Sequence, residues 1–295
     1  MTAQDLQTVS RTLFNAVTGL KVRPRFCRAE GPSGLHRSPQ RGETVEFSEY
    51  RPYAPGAELR FLDWKLYARC DRLFVKSFCD ERASRFLIVL DDSPSMVYPL
   101  EGFTKLNLAC ELAMGIAYLA AHRQKDAVRL LPLSSVPAGP NEQHQALGHM
   151  MLELQKISSS ARISAAARVP SGIADSLSKL EFRRPTTVIF ISDLYEHPAE
   201  LQKLSLRARR QGHEYWFLHV LSKEEIALPY ESLHNFIDVE SNQRMQLDPR
   251  AIRAHYSRAV HDHISALRTL AAHGRFVLGI VGQDPAEILK RLLQD

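Results

Sequence analysis

The sequence predicts an α/β protein with a doubly wound, mostly parallel sheet. From Arg85 onward, short apolar runs alternate with segments whose apolar residues recur at helical spacing. The run FLIVL (Phe86–Leu90) is wholly apolar and the run TTVIFIS nearly so, which is typical of strands covered on both faces. Alternating strands and helices favour parallel βαβ units. Ligands of such folds bind beyond the carboxyl ends of the strands, where the strand order reverses.

The first 80 residues have a different texture, and we predict that they form a separate region. Residues 3–20 carry apolar side chains at helical spacing, which predicts an N-terminal helix. From about residue 25 to 80, glycine and proline punctuate short segments rich in arginine and aromatic residues, with two short strands and a YAPG turn. This segment lacks apolar periodicity, so we expect it to pack onto the α/β domain. The predicted division is 1–80, the helix and a β-rich Arg/aromatic segment, and 81–295, the α/β domain.

The α/β domain is predicted to contain six further helices and at least five further strands or strand pairs. After Phe86–Leu90 come a buried helix over 104–122, a hairpin of AVRLLPL and SSVPAG, a helix over 144–157 and a helix in GIADSLSKL. After the strand TTVIFIS come a helix from Pro198, a strand over Glu214–Leu221, a short pair near FIDVES and RMQLD, a helix from Pro249, a strand over Arg275–Val281 and a helix from Pro285. Each of the last two helices begins with Asp-Pro, which predicts an N-cap followed by proline in the first turn.

Charge and composition narrow the classes of partner. The net charge of +5 is mild, and residues 21–85 account for all of it, with 14 basic and 9 acidic residues. Because those charges are interleaved and the surplus is small, we expect no nucleic-acid partner. The four cysteines contain no CxxC pair, which argues against a zinc knuckle or a disulfide framework.

No membrane span or secretory signal is predicted. The longest apolar stretches, such as LAMGIAYLAA, are far shorter than the roughly 20 residues that a spanning helix needs. The opening residues MTAQDLQT have neither a basic nor an apolar region of the secretory type. We therefore expect a cytoplasmic protein.

Carboxylate and hydroxyl side chains come after the two most apolar strands. Asp91, Ser93 and Ser95 come directly after Phe86–Leu90 with D-x-S-x-S spacing, and Asp193 ends the strand TTVIFIS. Such residues also occur in ordinary turns and helix caps. Their occurrence at the ends of two buried strands instead favours a cradle of hard oxygen ligands, which suits Mg²⁺.

An apolar strand, D-x-S-x-S, and a later strand ending in I-S-D resemble the von Willebrand factor A fold with its metal-ion-dependent adhesion site. The resemblance implies that Asp91, Ser93, Ser95 and Asp193 hold Mg²⁺ or Mn²⁺. In that family a further hydroxyl, usually of threonine, comes from the loop before the helix that precedes the I-S-D strand. Aligning the GIADSLSKL helix on the family's leucine pattern puts Ser171 at this position.

The upstream segment is similar to a narrower family, the domain-of-unknown-function 58 family of von Willebrand A-like bacterial proteins. The resemblance is carried by the string R-x-Y-x-x-G, R-x-x-D-W and A-R, whose named residues here are Arg51, Tyr53, Gly56, Arg60, Asp63, Trp64 and Arg69. Ala57 and Leu62 depart from the residues usual in the family. The resemblance implies a partnership with a MoxR-type AAA+ ATPase or its client.

The Arg/aromatic signature has two interpretations. The arginines could form a buried ion-pair network with Asp63 and Glu58, with Tyr53 and Trp64 as apolar anchors. The same residue types dominate interface hot spots, so the segment could equally form a docking face.

For function, the sequence favours a metal-dependent protein-interaction module that is not an enzyme. There is neither a G-x-S-x-G elbow nor a glycine-rich phosphate loop. One alternative is a Mg²⁺-dependent phosphoester hydrolase using the same crevice, for which Asp92 is the nearest spare carboxylate. A second is a metal-free scaffold, suggested by serine at position 171.

Overall fold

Two units divide the chain in the computed structural model, which describes residues 11–25, 46–54, 59, 62–79, 84–99, 102–136, 139–140, 144–160, 180–238 and 243–294. The larger unit comprises Met1–Arg28 with Ser84–Asp295, and the smaller one is Ala29–Ala83. The predicted division grouped the N-terminal helix with the Arg/aromatic segment. In the structure, Leu13 and Val17 of that helix are instead buried in the core of the larger unit.

The strands and helices are numbered in chain order. The strands are β1 Glu46–Pro52, β2 Phe74–Cys79, β3 Arg85–Leu90, β4 Ala127–Pro132, β5 Gly139–Pro140, β6 Leu180–Glu181, β7 Thr187–Ser192, β8 Glu214–Leu221, β9 His234–Ile237, β10 Arg244–Leu247 and β11 Gly274–Ile280. The helices are α1, described over 11–17, and α2 Trp64–Cys70, α3 Lys105–Ala117, α4 Leu147–Ser160, α5 Pro198–Arg210, α6 Lys223–Ala227, α7 Pro249–Arg268 and α8 Pro285–Leu293.

The larger unit is built on a five-stranded sheet in the order β11-β8-β7-β3-β4, with every neighbouring pair parallel. The chain runs from β3 outward to β4 and then returns to the other side of β3 as β7. The strand order therefore reverses between β3 and β7, which is where ligands bind in open sheets of this kind. The predicted doubly wound parallel sheet is confirmed.

Helices cover both faces of this sheet. Phe86, Ile88 and Leu90 of β3 pack in one layer with α1, α3, α4 and α8. Leu87 and Val89, which alternate with them, pack in a second layer with α5 and α7. Because both faces are buried, the strand reads as one apolar run, and each such side chain contributes about 1.5–3 kcal/mol of burial free energy.

One predicted connection is wrong. We expected AVRLLPL and SSVPAG to form a hairpin, but Ala127–Pro132 is a parallel strand beside β3. The short strand Gly139–Pro140 pairs in parallel with Leu180–Glu181. The turn residues that suggested a hairpin belong instead to a short 3₁₀ turn, Leu133–Ser135, which leads the chain away from β4.

Helix ends agree with the predicted capping chemistry. Asp248 and Asp284 each accept a backbone N–H through the side chain, at α7 and α8, and proline is the next residue in each case. Helix α3 is capped by Thr104 and is buried along its whole length. It continues as one π-helical turn, Tyr118–Arg123.

The smaller unit contains an antiparallel pair, β1 and β2, and the short helix α2. Asp63 caps α2 by accepting the backbone N–H groups of Lys65 and Leu66. Across the described parts of both units, no helix combines the length and apolar character needed to cross a bilayer.

Candidate cation site at the reversal of strand order

Asp91 and Asp193 leave adjacent strands at the same edge of the sheet. Leu90 lies opposite Ile191, and the Asp91 N–H extends the ladder by donating to the Ile191 carbonyl at 2.9 Å. Parallel strands end at one edge, so the two loops meet at the reversal of strand order between β3 and β7.

The Asp91 carboxylate is held by local hydrogen bonds and by β7. Its Oδ1 accepts the Ser93 N–H at 2.9 Å, and its Oδ2 accepts the Ser192 hydroxyl at 2.6 Å. The Ser93 and Ser95 hydroxyls lie 2.9 Å apart. Spacing of two residues thus places one carboxylate and two hydroxyls in a single turn, as the motif predicts.

The Asp193 carboxylate has a charged partner from a distant part of the chain. Its Oδ2 accepts a hydrogen bond from Lys105 Nζ at 2.8 Å, and Lys105 also donates to Glu225 Oε1 at 2.6 Å. Lys105 is the first residue of α3 and is fully buried. Its ammonium also lies 5.6 Å from the centre of the Tyr195 ring. One lysine therefore joins the end of β7 to helix α6.

Glu225 is fixed by the way α6 begins. Ser222 caps the helix by accepting the Glu225 N–H, while Glu225 Oε2 accepts the Ser222 N–H at 2.8 Å. This reciprocal capping box allows Oε1 to accept from Lys105 and, at 3.2 Å, from the Tyr195 hydroxyl. The Tyr256 hydroxyl donates to the Glu225 carbonyl at 2.6 Å.

The Asp92 carboxylate points away from Asp91 and bonds to Ser134. It accepts the Ser134 N–H at 2.9 Å and the Ser134 hydroxyl at 2.5 Å. This is the orientation that alternation along an extended chain predicts for the residue after Asp91.

Burial shifts the pKa values of two groups at this edge, Asp91 and His219. Burial, with a smaller contribution from the negative charge of Asp193, raises the pKa of Asp91 to about 6 against the lowering effect of hydrogen bonds from Ser192 and Ser93. Burial also lowers the pKa of the nearby His219 to about 3, together with His263 and Lys105, so His219 is neutral at physiological pH. The carboxylate of Asp91 is therefore a buried negative charge for which a bound cation would compensate.

The oxygen set around Asp91 fits a hard divalent cation. One carboxylate and two adjacent hydroxyls are ligands that Mg²⁺ accepts, and Mg²⁺ retains several waters at such sites. Among the described residues, no group of three or more His, Cys, Asp and Glu could hold a metal. Two of these three donors are hydroxyls, whereas Zn²⁺ sites in proteins are built mostly from Cys and His. Ser171, the remaining predicted ligand, lies outside the described residues.

The signature residues of the smaller unit are only partly described. Gly56, Arg60, Glu58 and the Arg51 side chain lie outside the described part. Asp63 caps α2 and accepts the Tyr50 hydroxyl at 2.9 Å. Trp64, which is an apolar anchor in one interpretation and a docking residue in the other, exposes 64% of its surface, and Arg69 is exposed as well. Tyr53 is half-buried.

Two residues of the site, Lys105 and Glu225, were not predicted. Lys105 stands at the start of a helix that is apolar almost all round, and a charged residue in such a helix needs a buried partner. Glu225 completes an S-x-x-E capping box directly after the apolar strand β8. Both signals are present in the sequence, but neither identifies the partner.

The fold and this edge together define an α/β protein with a cluster of acidic and hydroxyl side chains at the reversal of strand order. The chain belongs to the family described as "Protein of unknown function DUF58", whose model matches residues 49–266.

The chain is similar to mycobacterial relatives and, at low sequence identity, to two solved structures. "Uncharacterized protein Rv1480" of Mycobacterium tuberculosis (strain ATCC 25618 / H37Rv) is 29% identical over 247 residues, covering 81% of this chain and 75% of its own. "Uncharacterized protein Mb1516" of Mycobacterium bovis matches with the same values. An aerotolerance-related membrane protein from Bacteroides fragilis is 16% identical, with a TM-score of 0.45 over 72% of this chain and 98% of that one. The conserved hypothetical protein BatB from Bacteroides thetaiotaomicron is 14% identical, with a TM-score of 0.42 over the same shares.

Proposed function

We propose that this protein is a metal-dependent protein-interaction module. The observation that carries the proposal is the cluster of the Asp91 carboxylate with the Ser93 and Ser95 hydroxyls at the reversal of strand order. These residues would hold Mg²⁺ or Mn²⁺, with Asp193 contributing directly or through water and Ser171 as a further ligand. A bound divalent cation would supply a positive charge that attracts an acidic side chain of a partner.

The partner is proposed to be a MoxR-type AAA+ ATPase or a client of such an ATPase. This part of the proposal rests on the resemblance of the Arg/aromatic signature and the adhesion-type motif to their families. The role would be chaperone-like remodelling or maturation, and a cytoplasmic location belongs to the same proposal.

A hydrolytic role for the same crevice has less support. Phosphoester hydrolysis needs a base or nucleophile beside the metal. The nearest spare carboxylate, Asp92, has both oxygens engaged by Ser134.

Calorimetric titration of Mg²⁺ and Mn²⁺ into the full chain tests the metal part of the proposal. We expect saturable binding by the wild type, loss of binding in Asp91→Asn and unchanged binding in Asp92→Asn. Asp92→Asn is the matched control because it makes the same substitution at the neighbouring aspartate. Equal binding by Asp91→Asn and wild type would contradict the assignment. The absence of binding in all three proteins would favour the metal-free scaffold.

Capture of a MoxR-type ATPase tests the partner part. We expect the purified ATPase to bind the wild type with Mg²⁺, and to bind neither in excess chelator nor with Asp91→Asn. Binding that is equal under all three conditions would show that recognition uses another surface.

A further inference from the structure

We infer that Lys105 is a specificity-determining residue of the site: it sets the net charge of the metal-loaded edge so that an anionic ligand is accepted. The inference rests on the proposed function and deepens it. Its basis is the buried ion-pair network in which the Lys105 ammonium contacts both Asp193 and Glu225.

The position of Lys105 is unusual for a lysine. It is fully buried at the first turn of α3, among residues that are also buried. Burying an ammonium has a large desolvation cost, which a close ion pair offsets only in part. A buried ion pair is thus weak support for a role in stability alone, and its location beside the cation site suggests a role in binding.

The charges that face the site can be counted from the contacts. Asp91, Asp193 and Glu225 are acidic, and the Lys105 ammonium contacts the second and third of these carboxylates. The Tyr195 hydroxyl donates to Glu225 Oε1 and the Tyr256 hydroxyl donates to the Glu225 carbonyl, so both phenols are protonated and add no charge. His263 also lies at this edge, with its Nε2 atom 2.8 Å from the Leu194 carbonyl oxygen.

Three carboxylates and one ammonium give this edge an excess of two negative charges, which a divalent cation would neutralise. Without Lys105 the same cation would leave one negative charge in place, and an acidic ligand would be repelled. Lys105 therefore lowers the affinity for the metal while raising the affinity of the loaded site for an anion. The two effects have opposite signs because the same positive charge repels one ligand and attracts the other.

The test uses a series of charge variants with Mn²⁺ alone as the first probe. Lys105→Met removes the ammonium, Glu225→Gln removes one carboxylate while keeping a residue that can form the capping box, and the double variant restores the wild-type net charge. By calorimetry, we expect Mn²⁺ to bind Lys105→Met about tenfold more tightly than wild type and Glu225→Gln about tenfold more weakly. The double variant should bind Mn²⁺ as the wild type does.

The second probe is acetate, added to each Mn²⁺-loaded protein while the relaxation of water protons is measured. Displacement of metal-bound water by acetate should require about tenfold more acetate in Lys105→Met and less in Glu225→Gln than in wild type. Loaded Asp92→Asn is the control and should match the wild type. A structural role for Lys105 would weaken both kinds of binding in parallel, so the opposite signs separate the two explanations.

The outcomes distinguish the inference from the function on which it rests. If the wild type binds no Mn²⁺, both fail. If the wild type binds Mn²⁺ through Asp91 but the Mn²⁺ affinities of the variants do not follow their net charges, the inference fails and the metal site stands. If Lys105→Met does not fold, Glu225→Gln and the double variant still decide the outcome, because weaker Mn²⁺ binding in the first and recovery in the second are both required.

Discussion

The two strands that flank the reversal of strand order are each succeeded by an aspartate, but the two aspartates are stabilised differently. The Asp91 carboxylate accepts hydrogen bonds from the Ser93 N–H and from the hydroxyl of Ser192 on the neighbouring strand, and both donors are neutral. Asp193 is held by the ammonium of Lys105, a residue 88 positions earlier in the chain. Asp91 thus has only neutral donors from the protein, while Asp193 has a cationic partner that it shares with Glu225. The comparison teaches that a site of two similar carboxylates can be electrostatically asymmetric.

The largest expected effect comes from Asp193→Asn, which removes one of the two acidic partners of a buried ammonium. We expect the free energy of unfolding to fall by about 3 kcal/mol, since breaking a buried ion pair leaves a charge that is poorly compensated. Denaturant unfolding in excess chelator, monitored by the fluorescence of the fully buried Trp216, measures this. A Trp64→Phe background removes the second tryptophan. A loss no larger than that of Asp92→Asn would show that Glu225 alone satisfies Lys105.

The next largest effect on folding stability is expected from Glu111, a buried carboxylate away from the site, and this effect depends on pH. Burial, with a smaller contribution from the nearby Asp284, raises the pKa of Glu111 on α3 to about 7. The folded state therefore binds this proton more tightly than the unfolded chain, and the contribution of Glu111 to wild-type stability should fall as pH rises from about 4.5 to 7.

Glu111→Gln removes this titration. Above pH 7 we expect the variant to be about 2 kcal/mol more stable than wild type, a difference that disappears below about pH 4.5. Unfolding curves across this range measure it, with Glu287→Gln on the exposed surface of α8 as the control. A constant difference at all pH values would mean that packing, and not charge, separates the two proteins.

A smaller effect of opposite sign to Asp193→Asn is expected from Asp91→Asn. The uncompensated carboxylate destabilises the metal-free fold, so its neutral isostere should raise the free energy of unfolding by about 1 kcal/mol at pH 8 in chelator. The gain is limited by the hydrogen bonds that favour the charged form. Unfolding measurements should show the wild type to be less stable than the variant in chelator and more stable than the variant in saturating Mg²⁺. If both aspartate variants lose stability equally in chelator, the asymmetry of the site is refuted.

Much of the larger unit could be predicted because its signals are local. The strand Glu214–Leu221 has the bounds that the apolar run predicts, and the caps at Asp248 and Asp284 are those that Asp-Pro predicts. The Asp91 turn is local in one of its two hydrogen bonds, since Ser93 is two residues away, whereas Ser192 lies 101 residues further along the chain. Such features depend on periodicity, on fixed proline geometry or on a short hydrogen-bonded ring.

The remainder depends on contacts between distant parts of the chain. A lysine at the start of an apolar helix signals a buried partner, but only the packing of α3 against the sheet brings it to Asp193 and Glu225. The segment after β4 was assigned to a hairpin because its turn residues are compatible with either direction of the chain. For Trp64 the sequence leaves both an apolar anchor and a docking face open, and the structure exposes it on the short helix α2.

The smallest expected effect comes from Ser134→Ala, next to the carboxylate that points away from the site. The change removes the hydroxyl that donates to Asp92 Oδ2 but keeps the backbone N–H that donates to Oδ1. Since the contact is exposed, we expect a loss of less than about 1 kcal/mol and no change in Mn²⁺ affinity. Calorimetry and denaturant unfolding on the same samples measure both. If Mn²⁺ affinity falls as far as it does in Asp91→Asn, then Asp92 belongs to the metal site. The comparison of Asp91 with Asp193 would then have to include Asp92 as a third carboxylate.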